Sequence, residues 1–495
     1  MKKKFIIILG IGVMLSYSCQ KEKLYPISQT QVTNDESLLQ FTTAGRIQAQ
    51  VLGLYGNLRN GAFLGGRYQI YNEIKADNWV NLSNNGVTNL ATWNESVTAT
   101  TSEVQNLWSQ AYYTINNCNL FIDGMAAKGS KIVGETQAFN YVAEAKFIRA
   151  LSYYCLLQLY ARPYYDGNGS KPGLPLRLIG NAAYGNYDLA RSTVATIYTQ
   201  IIKDLNEAET SLPLTYADAT TVTTRAHRNT AIALKTRVYL TMQRYDDVIT
   251  EANKIVGITT FNANAGTAPS GGVNNALQAD VTNVFKAPYT TTESIFSLPF
   301  LTTETPGTQN QLGYYFYNNG TALNAEYYLN PQGVVADPNW KATDNRRKLI
   351  QASTVAARRG FQFLAKYAQP SPYTDWAPVI RYAEVLLNLA EARARSKGVD
   401  AQAIALLNAV RGRSDASTVY TAANFVNGDA LASSILQERN IELLGEGLRN
   451  IDLVRLGLTI PTKPGGAPAI PATDSRYIWP IPNNELLYNS LATQN

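Results

Sequence analysis

Three glutamates near the C-terminus have a spacing that could support acid–base chemistry. Their positions recur every four residues, which places their carboxylates on one face of a helix. Paired carboxylates can hydrolyse glycosidic bonds, but they must face each other across a substrate, and spacing along one helix does not provide that. Arginines lie close by in the sequence, so we predict a structural ion-pair network instead. The predicted members are Glu438, Arg439, Glu442, Glu446, Arg449 and Arg455.

Metal and nucleophile chemistry has little support in the sequence. The chain contains one histidine, His227, so a metal site built from several histidines is excluded. The motifs that surround serine and cysteine nucleophiles are absent. The stretch from Asp166 to Gly169 has turn chemistry but lacks the ligand spacing of a calcium loop. We therefore predict a protein that is not an enzyme and that uses no metal and no cofactor.

The first residues have the features of an export signal. Lysines at positions 2–4 precede an apolar run from Phe5 to Leu15, which is shorter than the roughly twenty residues of a membrane-spanning helix. Residues 1–18 are thus predicted to be a signal peptide. The stretch ending at Cys19 resembles a bacterial lipobox, which makes Cys19 the predicted lipidation site and 19–34 a tether. The alternative is an ordinary cleavage site beside an unrelated cysteine.

Aromatic residues in predicted loops indicate binding of a polar small ligand. Tyrosine outnumbers phenylalanine 31 to 14, and its apolar ring with a polar tip suits a surface that meets sugars. Aromatic faces can stack on a sugar ring while amides and carboxylates bind its hydroxyl groups. Alternatively, each aromatic residue pins its loop to the scaffold. The candidate ligand-binding residues are Asp77, Asn78, Trp79, Trp93, Tyr314, Tyr315, Tyr317 and Trp340.

Amphipathic helices must position these loops. Apolar residues from Val104 to Ile122, and again from Tyr141 to Leu159, recur at steps of three and four. Cys118 and Cys155 fall on these stripes, which indicates packing rather than a disulfide framework. Further helices are predicted at about 194–211, 226–243, 246–256, 379–396, 400–411 and 431–445.

Several of these helices are close enough in sequence to form antiparallel pairs. From Ala231 to Val256, a short turn near Arg244 joins two helices in the manner of a tetratricopeptide hairpin. Long segments rich in Gly, Asn, Thr and Pro separate the helices and are predicted to be functional loops. The sequence therefore predicts a mainly α fold, with a tetratricopeptide-like hairpin scaffold, a long loop-rich face and minor β. An N-terminal region is predicted at 35–256 and a C-terminal region at 257–495.

Several motifs, in order, resemble those of the SusD/RagB family of outer-membrane lipoproteins. The similarity covers nearly all of the chain after Cys19, and only the alanine-containing turn before Pro163 departs from the usual glycine turn. The motifs are AEAKFIRALSYY from Ala143, GLPL from Gly173, SIFSLPF from Ser294, DNRR from Asp344, PVIRYAEVLLNLAEA from Pro378, LNAVRGR from Leu407, ILQERNIELLGEGLRNIDLVR from Ile435 and YIWPIPNNEL from Tyr477.

The resemblance implies a function in nutrient uptake. It implies a lipoprotein on the cell surface of the outer membrane that captures an oligosaccharide and acts as a lid over a SusC-like TonB-dependent transporter. The alternatives are peptide or glycopeptide capture by the same lid, a tetratricopeptide scaffold that assembles proteins, and an enzyme with paired acids in a cleft. The formal net charge of +6 provides no footprint for nucleic acid, so no such partner is expected.

Overall fold

The computed structural model describes residues 41–183, 185–257, 269–322 and 324–495. The predicted signal peptide, the lipidation site Cys19 and the tether at 19–34 lie outside these residues. Within the described part of the chain, none of the helices combines the length and apolar character that a bilayer-spanning segment requires.

Helices form most of the regular structure. A single turn of π-helix at Met125–Gly129 joins the helix that ends at Gly124 to the short helix that begins at Ser130. Short 3₁₀ turns lie in the loops. The helices are α1 (Ala44–Leu58), α2 (Arg67–Ile74), α3 (Leu90–Trp93), α4 (Ser102–Gly124), α5 (Ser130–Val133), α6 (Glu135–Tyr160), α7 (Val194–Ser211), α8 (Ala219–Thr224), α9 (Arg228–Thr241), α10 (Tyr245–Val256), α11 (Leu312–Phe316), α12 (Tyr382–Lys397), α13 (Ala401–Ser414), α14 (Gly428–Glu442), α15 (Arg449–Arg455) and α16 (Asn483–Tyr488).

The long helices pack against one another as a stack of antiparallel neighbours. Helix α6 contacts α4 and α7, α9 contacts α7 and α10, and α12 contacts α10, α13 and α14. Arg149 of α6 fastens one such pair, because its guanidinium donates hydrogen bonds to both Asp204 carboxylate oxygens of α7 at 2.8 and 2.7 Å. The predicted mainly α fold with a helical hairpin scaffold is confirmed.

The predicted hairpin between Ala231 and Val256 is present as α9 and α10. The chain reverses between Thr241 and Tyr245, where Gln243 adopts a positive φ of 58°. The guanidinium of Arg244 lies 4.9 Å from the ring centre of Tyr239, so the turn is held against the end of α9. Cys118 and Cys155 are both buried free thiols, as their positions on helix stripes predict.

Four predicted helix boundaries are wrong by three residues. Helix α13 ends at Ser414 and not at 411, and α14 begins at Gly428 and not at 431. The helix predicted from 379 begins only at Tyr382, because Ala377–Arg381 is a strand that pairs with Ser294–Leu298. Pro378 and the β-branched residues after it favour the extended chain there. The helix predicted to reach 445 ends at Glu442, since the backbone turns at Gly445 and Gly447, both with positive φ near 80°.

In the described part of the chain, four small antiparallel sheets tie the loops together. Each has two strands: β1 pairs with β5, β2 with β3, β4 with β8, and β6 with β7. The strands are β1 (Trp79–Asn81), β2 (Pro172–Pro175), β3 (Arg191–Thr193), β4 (Ser294–Leu298), β5 (Tyr327–Leu329), β6 (Ile350–Ala352), β7 (Gln362–Leu364) and β8 (Ala377–Arg381). The largest hydrophobic cluster runs from Phe41 to Ile481, so both predicted regions contribute to one core.

Leucine substitutions inside and outside this core provide a first test of the packing. Leu386 lies in the middle of α12 and is fully buried. Leu386→Ala is expected to lower the free energy of unfolding by about 2 to 5 kcal/mol, because it removes apolar contacts and leaves a cavity. The matched variant Leu487→Ala changes a side chain that is 67% exposed and is expected to have little effect. Unfolding followed by circular dichroism measures both, and similar losses would contradict this packing.

Candidate functional site

The two loop segments in which ligand contacts are predicted come together through a two-stranded sheet. Strand β1 pairs with β5, with Trp79 opposite Leu329 and Asn81 opposite Tyr327. The pairing continues beyond the strands, since the amide of Leu82 donates to the carbonyl of Glu326 at 2.9 Å. The sheet therefore brings the 77–93 segment beside the 312–330 segment, although about 230 residues separate them along the chain.

The tryptophans of the first segment are core residues. Trp79 is 0% exposed, stacks on Phe316 with ring centres 4.1 Å apart, and donates from Nε1 to Glu73 at 2.9 Å. Trp93 is also buried, and its Nε1 donates to the carbonyl of Trp79 at 2.9 Å. Protein encloses both rings and leaves neither of them a free face. They pin their loop instead.

Three further candidates are also structural. Tyr315 is buried against Tyr327, with ring centres 6.0 Å apart. Trp340 is buried beneath the guanidinium of Arg347, which lies 4.0 Å from the ring centre. The side chain of Asn78 is buried and donates to Asn440 Oδ1 at 2.7 Å. None of these side chains presents a free face to a ligand in this structure.

Asp77 joins its loop to the C-terminal helices. Both of its carboxylate oxygens accept hydrogen bonds from Arg449 of α15, each at 2.8 Å. Burial opposes ionisation of Asp77, but these bonds and the positive charge of Arg449 outweigh it and lower the pKa of the carboxyl group. Asp77 is thus already paired, which makes it an anchor for the loop.

Tyr314 and Tyr317 keep part of their side chains exposed. The ring of Tyr314 meets the ring of Tyr373 edge to face, with centres 6.0 Å apart, and its hydroxyl group accepts a hydrogen bond from Gln309 Nε2 at 3.3 Å. Tyr373 belongs to the loop at 369–376, which also contains the partly exposed Trp376. Tyr314 and Tyr373 therefore form one partly exposed aromatic surface that a ligand can reach.

A polar cavity of about 380 Å³ opens beside the same loops. It lies where the first turns of α2 and α4 meet the 3₁₀ turn at Gly86–Thr88 and the loop before α11. Its lining includes Arg67, Tyr71, Ser102, Glu103, Asn106 and Asn310. A cavity of this size lined by amide, hydroxyl and charged groups suits a ligand rich in hydroxyl groups.

Arg67, the first residue of α2, is held rigidly in the cavity wall. Its Nε donates to Asn310 Oδ1 at 2.7 Å, and its Nη1 donates to the carbonyl of Val87 at 3.1 Å and to Asn89 Oδ1. The guanidinium also lies 5.5 Å from the ring centre of Tyr315. Neutral partners thus orient a full positive charge at the cavity.

Glu103 lies in the first turn of α4 and is 4% exposed. Its Oε2 accepts a hydrogen bond from the Ser102 hydroxyl group at 3.3 Å, and its Oε1 has no partner among the described residues. Burial raises the pKa of Glu103, an effect that its own backbone amide, Ser102 and the charge of Arg67 oppose in part. The carboxylate therefore retains unused capacity to accept hydrogen bonds.

A polar ridge extends this cavity towards Tyr314. The carboxylate of Glu326 accepts a hydrogen bond from the Thr88 hydroxyl group at 2.7 Å and another from Ser83. Sequence reasoning missed Arg67, Glu103 and Glu326, because isolated charged residues at helix starts and strand ends carry no distinctive motif. Each of the three residues lies in or next to a predicted functional loop, and this position was the one feature of the sequence that could have indicated them.

Many tyrosines outside the cavity fasten loops to the scaffold. The hydroxyl groups of Tyr112, Tyr153 and Tyr327 donate to backbone carbonyls at 2.7, 2.8 and 2.8 Å. Each bond satisfies a carbonyl group of an irregular segment that helices and sheets leave unpaired. The abundance of tyrosine thus reflects loop attachment as well as surface chemistry.

The three predicted glutamates lie in a buried cluster. Their basic partners there are residues other than the three predicted arginines. Glu442 contacts Arg346, Arg381 and Arg413 at 3.1, 3.0 and 2.6 Å, and Arg381 also contacts Glu446. The cluster contains five acidic and five basic side chains, and none of these ten side chains is more than 8% exposed. We call it the C-terminal ion-pair cluster; its members are Glu293, Asp344, Glu438, Glu442, Glu446, Arg346, Lys366, Arg381, Arg411 and Arg413.

The three predicted arginines pair elsewhere. Arg449 binds Asp77, as described above, while Arg439 and Arg455 share Asp452, with Nε···O distances of 3.0 and 2.9 Å. Arg455 also binds Glu391 of α12 at 2.6 Å. The six predicted residues thus all form ion pairs, but the arginines bind Asp77, Asp452 and Glu391 in place of the three glutamates.

The single histidine lies in the protein interior. His227 is buried at the start of α9, and burial lowers its pKa to about 4. Across the described ranges, no group of three or more His, Cys, Asp and Glu side chains is arranged to hold a metal ion.

Two family models match the chain. One, described as "SusD family", matches residues 151–495, and another, described as "Starch-binding associating with outer membrane", matches residues 34–240. The first of these models covers more than half of the chain. The chain belongs to the SusD/RagB family. SusD-family proteins bind carbohydrate and are not enzymes, which agrees with the prediction of a non-catalytic protein.

Individual SusD-like proteins resemble the chain over most of its length. SusD-like protein P2 of Formosa agariphila is 25% identical over 494 residues, which cover 91% of this chain and 92% of that protein. A SusD superfamily crystal structure from Bacteroides fragilis is 35% identical, covers 92% of this chain and 99% of its own, and has a TM-score of 0.80. The structure of surface glycan-binding protein A from Bacteroides thetaiotaomicron, in complex with laminarihexaose, matches 92% of this chain and 100% of its own. At 18% identity and a TM-score of 0.71, it shares the fold.

The C-terminal ion-pair cluster provides a test of stability. Glu442→Gln is expected to lower the free energy of unfolding by about 3 to 5 kcal/mol, because it leaves buried guanidinium groups without a counter-charge. Asp246→Asn removes a carboxylate from an exposed pair with Lys397 at 3.3 Å, and this control is expected to cost less than about 1 kcal/mol. Equal losses in urea unfolding would contradict a structural role for the cluster.

The effect of pH on the same variant has a defined sign. Burial opposes ionisation of Glu442, but Arg413, Arg381 and Arg346 outweigh it and lower its pKa below the ordinary value of 4.5. The stability that Glu442 contributes is therefore present above pH 4.5 and is lost as the pH falls through the folded-state pKa. The difference between wild type and Glu442→Gln should shrink in unfolding measurements below pH 4.5.

Proposed function

We propose that this SusD-family protein binds an oligosaccharide in the cavity at Arg67 and Glu103 and on the adjoining surface at Tyr314 and Tyr373. The observation that carries the proposal is the position of the cavity, where oriented polar groups lie beside partly exposed aromatic rings. Asn106 adds an exposed amide to this wall.

The cavity suits the hydroxyl groups of a sugar, and the aromatic surface suits the apolar face of its ring. Hydroxyl groups both donate and accept hydrogen bonds, so Glu103 can accept from a ligand while Asn106 can do both and Arg67 can donate. The flat apolar face of a pyranose ring packs on aromatic rings such as those of Tyr314 and Tyr373. A chain of sugar units can extend from the cavity along this surface.

Delivery to a transporter completes the proposal. The predicted lipid on Cys19 would hold the protein on the outer membrane, at the cell surface, where the protein would pass its ligand to a SusC-like TonB-dependent transporter. Support comes from the family, one of whose models is described as "Starch-binding associating with outer membrane". The glycan complex of surface glycan-binding protein A supports oligosaccharide as the ligand class.

Two substitutions at the proposed site test glycan binding. Asn106→Ala and Tyr314→Ala are each expected to weaken binding about tenfold, which corresponds to about 1.4 kcal/mol. Asn283→Ala and Tyr488→Ala change the same residue types at exposed positions away from the cavity and should bind normally. Calorimetry after a glycan-array screen measures the affinities. Binding of peptides in place of glycans would favour the alternative of peptide capture, and binding of neither would favour a scaffold.

The anchor is tested at Cys19. Cys19→Ser should leave the folded protein intact but release it from the membrane fraction, because the thiol that carries the lipid is missing. Fractionation with radiolabelled palmitate measures both lipid and location, and Cys118→Ser serves as a control at a buried thiol. Retention of Cys19→Ser on the membrane, or labelling of this variant, would contradict the anchor.

A further inference from the structure

The cavity contains one basic and one acidic side chain, and neither forms an ion pair with a described residue. Arg67 contacts the amide oxygens of Asn310 and Asn89, the carbonyl of Val87 and the ring of Tyr315. Arg67 is partly exposed, and it differs in this from arginines of the described scaffold such as Arg149, Arg237 and Arg381, which are buried and paired with carboxylates. The positive charge of Arg67 is therefore available to a ligand.

Glu103 is the acidic counterpart in the same wall. Its single side-chain partner is the neutral Ser102 hydroxyl group, and its Oε1 is buried without a partner in the described part of the chain. The first turn of α4 stabilises a negative charge there, since the helix N-terminus is the positive end of the helix dipole. A buried carboxylate with a missing donor is the group that a ligand hydroxyl would satisfy.

Two opposite charges in one wall discriminate between ligands by charge. A neutral polyol can accept from Arg67 and donate to Glu103 at the same time. A uronate or sulfated sugar would be attracted by Arg67 but repelled by Glu103. An amino sugar would be attracted by Glu103 but repelled by Arg67. Charges act strongly in a partly enclosed cavity because little water screens them.

From this arrangement we propose that the cavity selects neutral glycans over acidic ones and that Glu103 is the residue that excludes acidic sugars. The inference rests on the proposed function and specifies its ligand class. Arg67 is the complementary residue, which holds hydroxyl oxygens and excludes cationic sugars. Selection thus depends on two helix starts, α2 and α4, whose positions the scaffold fixes.

The first experiment is a binding panel with the full protein purified in detergent from its host membrane. Native affinity gels contain either neutral hexose polysaccharides (starch, laminarin, mannan and galactan) or acidic ones (alginate, polygalacturonate, carrageenan and hyaluronan). Retardation is expected in one or more neutral gels and in none of the acidic gels. Retardation by an acidic polysaccharide at least equal to that by any neutral one overturns the inference and leaves glycan binding intact.

The second experiment assigns the selection to Glu103. The neutral polysaccharide that binds is oxidised at C6 to its uronate form, and both forms are titrated against wild type, Glu103→Gln and Glu207→Gln. Glu103→Gln keeps the side-chain shape and is expected to bind the uronate form at least fivefold more tightly than wild type does. Glu207→Gln makes the same charge change on α7, where Glu207 pairs with Lys146 at a partly exposed position, and should match wild type.

The outcomes separate the two proposals. An unchanged preference in Glu103→Gln, with an unchanged melting temperature, overturns the role of Glu103 even if glycans bind. A rise in uronate affinity in both Glu103→Gln and Glu207→Gln assigns the effect to net charge and also overturns it. Absence of binding to every polysaccharide in the panel overturns the proposed function, and the selection with it.

Discussion

The loop-rich face of this protein depends on the balance of charge in the C-terminal ion-pair cluster. Five carboxylates and five basic groups lie together out of water, and each would be costly to bury alone. They come from the residue before β4, strand β8, helices α13 and α14, the turn after α14, and the loops around Asp344 and Lys366. Because removal of one charge leaves its partners unmatched, these segments must meet in one arrangement. Charge neutrality thus fixes the geometry of segments that have little regular structure.

Hydrogen bonds transmit this geometry from the cluster to the cavity. Glu446 lies between Gly445 and Gly447, whose amides donate to the carboxylate of Glu73 at 3.0 and 2.9 Å. Glu73 also accepts from Trp79 at the start of β1, and it belongs to α2, the helix that begins at Arg67. The turn after α14 therefore positions both the strand that joins the loops and the helix that carries the cavity arginine. Both glycines have positive φ, which other residues adopt only at a cost.

The sequence was informative about the helices and misleading about the loop aromatics. The stripes around Cys118 and Cys155 predict α4 and α6 because periodic burial is visible in a local pattern. The burial of Trp79, Trp93 and Trp340 depends on contacts with residues such as Phe316 and Arg347, which are remote in sequence or unremarkable in type. Likewise, the glutamates near 442 were recognised as ion-pair formers, but their partners Arg346, Arg381 and Arg413 lie in other motifs. Arg67 and Glu103 were missed because a site made of single residues from separate elements has no spacing to detect.

The burial of the tryptophans affects how the protein responds to optical probes. Of the six tryptophans, five are buried in the scaffold and loop anchors: Trp79, Trp93, Trp108, Trp340 and Trp479. Trp376 alone among them is partly exposed, in the loop that carries Tyr373. Intrinsic fluorescence will therefore be dominated by indoles in apolar surroundings, with emission at short wavelength that reports whether the loops are attached. A ligand near Tyr373 would alter only the small contribution of Trp376, so selective quenching of this indole by an aqueous quencher would separate occupancy of the site from loss of structure.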